Sequence, residues 1–266
     1  MEISQKKLII FDLDGTLTKS KTPIREEMCE LLYRLLREKN VVVISGGKRE
    51  MVKRDLENPI VQYVHQKKYD FAVLKNLHIM PTYGTSYFVW GGNINSKPEW
   101  LCKYSNYLTS DQKERTFKIL EEIPKKMGYW EPENKIFGER VEDRESQITY
   151  SPLGQDAARE EKAKYDVEDM LRDKVVQAVQ EKLPDLEVRK GGLTSIDVTE
   201  KGVDKTFGVK KMMQMYKYKI EDMLFVADKI YPGGNDYPIK EFGVESIEVQ
   251  SPEETEKIIE GILNDN

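Results

Sequence analysis

The chain has 266 residues, 39% of them hydrophobic, with 42 Lys and Arg against 47 Asp and Glu for a formal net charge of −5. That length suits one large domain, or a core of roughly 150 residues with an inserted domain of roughly 100, and the apolar content excludes a disordered tail. The acidic balance argues against a nucleic-acid partner, the absence of an apolar run near the roughly 18 residues of a membrane span argues against a membrane partner, and two cysteines are too few for a disulfide framework, so a soluble cytoplasmic protein is expected.

In chain order, Lys7-Leu8-Ile9-Ile10-Phe11 is a short continuous apolar run, the signature of a parallel strand buried on both faces. Thr22 and Pro23 predict a helix start, and Ile24, Met28, Leu31, Leu32, Leu35 and Leu36 fall on one helical face, with Asn40 closing the helix. Val41 to Ile44 predicts the second buried strand and Tyr69 to Leu74 a third. Strand, helix, strand with short connections is a parallel βαβ unit. After about Tyr83 the pattern changes. Half-exposed strands are expected at Ser86 to Trp90 and Ser146 to Tyr150, helices near Thr109 to Met127 and Val167 to Leu183, and further strands at Leu186 to Val188 and Ile196 to Val198. Parallel logic returns with a helix from Gly208 to Tyr216, a buried strand at Met223 to Ala227, and Ser251-Pro252-Glu253-Glu254 as a capping box for the last helix. The expected fold is therefore α/β, with a Rossmann-like parallel-sheet core formed by 1–85 and 199–266 and an inserted α+β cap domain at 86–198.

Chemistry has few places to reside. Only His65 and His78 are present, without a G-x-S-x-G elbow, a CxxC or an HExxH, so a serine triad and a zinc site both lack support. The sharpest signal is Asp12-Leu13-Asp14-Gly15-Thr16-Leu17-Thr18 at the carboxyl end of the first predicted strand, the edge where open parallel sheets bind ligands. In an extended segment residues i and i+2 project to one side, so Asp12 and Asp14 are expected to converge while Leu13 points away. Two acids sharing one pocket call for a cation. Mg²⁺ is expected there, with one carboxylate as nucleophile and the other handling a proton.

This motif resembles the first signature of the haloacid dehalogenase (HAD) superfamily of phosphatases and phosphomutases. Three further stretches resemble that superfamily's other signatures. Ser45, before Gly46-Gly47, is similar to the second, whose hydroxyl contacts the transferred phosphoryl group. Lys205 in Gly202-Val203-Asp204-Lys205-Thr206 is similar to the third, whose ammonium balances the site's charge. Asp228 after Val226-Ala227, with Asn235 and Asp236 in Pro232-Gly233-Gly234-Asn235-Asp236, is similar to the fourth, which completes a metal shell with Asp12 and Asp14. The resemblance makes Asp12 the nucleophile and Asp14 the acid and base.

The insert lies between the second and third signatures, the position of the class IIB cap, and is similar to that of the phosphomannomutases. The resemblance rests on Arg144 to Gln155, which includes Ser151-Pro152-Leu153-Gly154, and on Gly191-Gly192-Leu193-Thr194-Ser195-Ile196-Asp197-Val198. It implies that Lys21, Arg144, Gln155, Lys162, Ser195 and Asp197 bind a phosphorylated sugar and that a homodimer forms through the cap. Gln155, Lys162 and Lys21 stand where that family has arginines, and Ala227 where it has a glycine. Lysine is a point charge and glutamine neutral, whereas arginine offers phosphate a rigid fork. The weakened grip on a distal phosphate makes a Mg²⁺-dependent sugar-phosphate phosphatase, working through an aspartyl-phosphate, the first expectation. Phosphomannomutase, interconverting mannose 1-phosphate and mannose 6-phosphate, is the alternative. A catalytically inactive protein that binds a phospho-ligand is the third reading.

Overall fold

The computed structural model describes residues 3–91, 99–165, 168 and 170–264. It divides into two compact units, residues 1–105 with 204–266, and residues 106–203.

In chain order, the first unit contains β1 (Leu8–Phe11), α1 (Glu26–Leu36), β2 (Asn40–Ile44), and a continuous helical run of α2 (Arg49–Val52), a π turn (Lys53–Glu57) and α3 (Asn58–Lys67). A 3-10 segment (Phe71–Asn76), β3 (Leu77–Met80), β4 (Ser86–Gly91) and β5 (Glu99–Ser105) follow. The second unit holds α4 (Ser110–Met127), β6 (Val141–Asp143), β7 (Gln147–Tyr150), α5 (Arg159–Lys164), α6 (Met170–Lys182), β8 (Leu186–Lys190) and β9 (Ile196–Glu200). The chain then returns to the first unit with α7 (Lys205–Tyr216), β10 (Met223–Ala227), α8 (Tyr237–Glu241), β11 (Glu245–Glu248) and α9 (Pro252–Asn264).

The first unit is built on a seven-stranded sheet in the order β11-β10-β1-β2-β3-β4-β5. The pairs from β11 to β3 are parallel, and β4 and β5 extend the edge antiparallel. Every residue of β1 is fully buried, as the apolar run predicts. Apolar layers cover both faces, one centred on Leu32, Leu36 and Ile60 and the other on Val209, Met212 and Ile239. Burial of each such side chain contributes about 1.5–3 kcal/mol. Because β1 registers Phe11 against Val43 and Val226, the residues following these strands (Asp12, Ser45 and Asp228) emerge along one sheet edge.

The second unit has an antiparallel sheet in the order β6-β7-β9-β8. Alternation sorts its faces. Ile148, Tyr150, Val188, Ile196 and Val198 pack with Leu120, Ile123, Val175 and Val179 of α4 and α6, while the intervening Gln147, Thr149 and Asp197 turn their polar side chains elsewhere.

Several expected elements are corrected. Tyr69 to Leu74 is not a strand, because the Asp70 carboxylate accepts the Ala72 N–H at 2.8 Å and starts a 3-10 turn, and the third parallel strand follows at Leu77. The first helix begins at Glu26 rather than at Pro23, since the Thr22 hydroxyl donates back to the Lys19 carbonyl; Asn40 opens β2 instead of closing the helix. At the last helix Glu254 accepts from the Gln250 N–H rather than completing a box with Ser251. Val167, the expected start of the second insert helix, lies outside the described residues. The expected boundary at 85/86 moves to 105/106, because β4 and β5 join the core sheet through pairing of β4 with β3, and the second boundary moves to 203/204.

Candidate active site

Asp12 is buried at the end of β1, where its N–H still donates to the Val226 carbonyl at 3.1 Å. Its Oδ1 accepts from Lys205 Nζ at 2.5 Å. Lys205 opens α7, whose N-cap Asp204 accepts from the Thr206 N–H at 2.7 Å, and its side chain is completely buried. The same ammonium donates to Asp236 Oδ1. Burial alone would pull the Lys205 pKa down, but Asp12 and Asp236 more than reverse this and hold it above the ordinary lysine value. Asp236, itself fully buried, has its pKa raised to about 6 by burial, despite Lys205, with the charges of Asp12 and Asp228 adding to the rise.

Asp228 completes a group of three acids. Oxygens of Asp12, Asp228 and Asp236 lie within 4.8 Å of one another. Burial also raises the Asp228 pKa, with Lys229, 3.6 Å away, opposing the shift. Asp228 Oδ1 and Asp236 Oδ2 are buried acceptors that receive no hydrogen bond, which is unusual for carboxylate oxygens. Hard, unsatisfied oxygens gathered in this way fit a divalent cation that prefers oxygen ligands. Gly15 makes the approach possible, because at its φ of +87° a Cβ would sit 2.4 Å from Asp228 Oδ2.

Asp14 is not one of these three, although the charge of Asp12 acts on it. The backbone turns at Leu13, whose carbonyl accepts the N–H groups of Leu17 and Thr18 at 3.0 and 3.1 Å. The Asp14 carboxyl instead accepts the Lys21 N–H at 2.7 Å. Its pKa is raised by burial and by Asp12, while the Lys21 N–H opposes the rise. A carboxyl inclined to hold its proton suits acid and base work better than metal ligation.

Ser45 is buried after β2, and its Oγ accepts the Gly47 N–H at 3.0 Å. Asn235 is half-buried in the turn before Asp236. Lys21 is exposed and takes a left-handed φ of +59°. The turn after β3, which the sequence did not single out, grips this region: Thr82 and Tyr83 donate backbone N–H groups to Gly47 and Ser45, the Tyr83 ring lies against Gly46, and Gly84 meets Gly208 of α7. Thr82 and Tyr83 have φ of +45° and +61°, costly for non-glycine residues and found most often beside functional sites.

In the second unit, Arg144 Nε pairs with buried Glu142 at 2.7 Å and its Nη2 donates to Gln155 Oε1 at 3.2 Å, while Lys162 Nζ donates to the Gln155 carbonyl at 2.8 Å. Asp197 accepts from the Thr149 hydroxyl at 2.8 Å, and Thr149 accepts from Gln147 at 2.7 Å. Ser195 and Asp197 crowd Gly191, where a Cβ would lie 2.4 Å from Ser195 Oγ. Two groups therefore form, Arg144–Gln155–Lys162 and Ser195–Asp197. Glu142, Gln147 and Thr149 join them unforeseen; the i, i+2 spacing of Glu142 and Arg144 at the end of β6 was the available signal.

A parallel sheet whose first strand ends in an aspartate paired to a buried lysine, with two more aspartates beyond the neighbouring strand, defines a phosphoryl-transferring enzyme of the HAD type. Among solved structures, the chain is similar to a Plasmodium falciparum IMP-nucleotidase (TM-score 0.71, 17% identity, 98% of this chain and 69% of that one). It is also similar to the C-terminal domain of Candida albicans trehalose-6-phosphate phosphatase (TM-score 0.62, 16% identity, 98% and 92%) and to a haloacid dehalogenase-like hydrolase from Bacteroides thetaiotaomicron (TM-score 0.59, 17% identity, 97% and 99%). These likenesses concern the fold. The pattern of the eukaryotic phosphomannomutases matches residues 132–265, just over half of the chain. Phosphomannomutases from Drosophila melanogaster (28% identity, 96% of this chain and 95% of that one) and Saccharomyces cerevisiae (29%, 97% and 94%) are similar over nearly their whole length. The chain belongs to the eukaryotic phosphomannomutase family. Of the two activities expected from the sequence, mutase is thus better supported and hydrolysis weaker. Among the described residues, no helix is long and apolar enough to cross a membrane.

Proposed function

We propose that the chain is a phosphomannomutase, interconverting mannose 1-phosphate and mannose 6-phosphate through a phosphorylated Asp12. The observation that carries this reading is the buried Asp12–Lys205–Asp236 arrangement in a chain of this family. In the proposed sequence an Asp12 oxygen attacks one phosphorus of a hexose bisphosphate, the bond to that sugar oxygen breaks, and Asp14 gives the oxygen its proton, leaving phospho-Asp12 and a sugar monophosphate. In the other half-reaction Asp14 takes the proton from the free hydroxyl of mannose 1-phosphate as that oxygen attacks phospho-Asp12, which frees Asp12 and makes the bisphosphate that turns around to give up its other phosphate. Lys205 orients Asp12 through its hydrogen bond, and Ser45 is assigned to a phosphoryl oxygen. Arg144, Gln155, Lys162, Ser195 and Asp197, with Lys21, are assigned to the rest of the sugar phosphate. Mg²⁺ is the proposed metal, held by Asp12, Asp228 and Asp236 with Asn235 beside them, where it would neutralise phosphate charge. A cytoplasmic homodimer completes the proposal.

The test is to supply purified protein and Mg²⁺ with mannose 1-phosphate, with and without a hexose 1,6-bisphosphate, and to follow mannose 6-phosphate and free phosphate separately. Mannose 6-phosphate should form faster than free phosphate once bisphosphate is present. Release of phosphate equal to the loss of substrate would return the chain to the phosphatases.

Metal binding has its own expectation. Without metal, Asp236 holds its proton more tightly folded than unfolded, so its contribution to stability falls as pH rises toward about 6. A ligating carboxylate must be deprotonated, so metal competes with that proton. The rise in melting temperature produced by millimolar Mg²⁺ should therefore be larger at about pH 7.5 than at about pH 5. Thermal unfolding followed by circular dichroism reads this without any activity assay, and an equal rise at both values would remove Asp236 from the proposed ligand set.

A further inference from the structure

The helical run from Arg49 to Lys67 contains one irregular stretch, the π turn Lys53–Glu57. Such turns are rare and recur near functional sites. Adjacent residues of a regular helix point in different directions and do not pair. Here Arg54 forks onto its own neighbour, with Nε to Asp55 Oδ1 at 2.6 Å and Nη2 to Oδ2 at 2.7 Å; Asp55 is 1% exposed and Arg54 about half exposed. The same two residues reach the loop that follows the first motif. Arg54 Nη2 donates to the Lys21 carbonyl at 3.3 Å, and the Asp55 carbonyl accepts the Ile24 N–H at 2.8 Å. Lys21, held in its left-handed conformation between these contacts, donates its N–H to Asp14 Oδ1.

We propose that Arg54 and Asp55 act as a positioning pair, pinning residues 21–24 so that the Lys21 N–H fixes the Asp14 carboxyl for proton transfer. The inference rests on the role proposed for Asp14. Neither residue touches substrate in this account. A proton donor displaced by a fraction of an ångström loses its advantage chiefly where the leaving group needs the proton.

The experiment compares kcat/KM for phenyl phosphate and p-nitrophenyl phosphate, esters of similar shape whose leaving groups differ in pKa, in the wild type and in Arg54→Ala, Arg54→Ala/Asp55→Asn and Asp14→Ala. The double variant removes the unpaired buried charge that could unfold the single one. Arg54→Ala or the double variant should lose about tenfold on phenyl phosphate and less than threefold on p-nitrophenyl phosphate, in the same sense as Asp14→Ala but smaller. If Asp14→Ala separates the two esters and the Arg54 variants do not, the pair has no positioning role and the acid role of Asp14 stands. If Asp14→Ala itself loses equally on both, that role falls and this inference falls with it.

Discussion

Lys205→Met should destabilise the fold as well as silence the enzyme. Methionine preserves volume and removes the cation seated between Asp12 and Asp236, leaving two buried carboxylates facing each other. Removing one partner of a buried ion pair costs about 3–5 kcal/mol, because the charge left behind stays desolvated. For a chain of this size that is a drop of roughly ten degrees in melting temperature near neutral pH. The sign with pH follows from the same groups. Lys205 opposes the rise in the Asp236 pKa, so its loss lets that pKa climb further. The variant's stability should recover as pH falls and Asp236 takes up its proton. Scanning calorimetry at acidic and neutral pH measures both effects, and a variant as stable as the wild type at neutral pH would contradict the electrostatic account of the pair.

Asp12→Asn should leave the fold nearly intact and reduce turnover by roughly a thousandfold or more, as expected when a nucleophile is replaced by its neutral isostere. The carboxamide keeps the shape of the carboxylate, and its carbonyl oxygen can still accept from Lys205, while the attacking charge is gone. Steady-state rates on mannose 1-phosphate, with mass spectrometry to exclude deamidation back to aspartate, check the expectation; retention of more than a few per cent of activity would remove Asp12 as nucleophile.

The elements that a sequence reveals most clearly here are the fully buried ones. Leu8–Phe11, Val41–Ile44 and Met223–Ala227 are continuous apolar runs because both faces of a parallel strand are covered, and they place Asp12, Ser45 and Asp228 along one edge. Likewise Thr109 and Gln112 cap α4 through a reciprocal box that local spacing encodes. Glu99–Ser105 escaped notice because most of its residues are exposed, so no alternation marks it, and with it went the true edge of the core sheet. The acid cluster was half legible. Its three members lie in recognisable motifs, yet whether Asp14 or Asp236 completes it depends on the turn at Leu13 and on Lys205 reaching two loops at once, neither of which is local in sequence. The Arg54–Asp55 fork needed the π turn, which no residue pattern announced.

The central claim is that the phosphoryl group passes through Asp12, and an acyl phosphate can be located by chemistry. Protein incubated with a hexose 1,6-bisphosphate and quenched with borohydride converts a phosphorylated aspartate to homoserine, and peptide mass spectrometry then reads its position. The account predicts homoserine at position 12 alone. Homoserine at position 14, 228 or 236, or none under conditions in which mannose 6-phosphate is being formed, would contradict it.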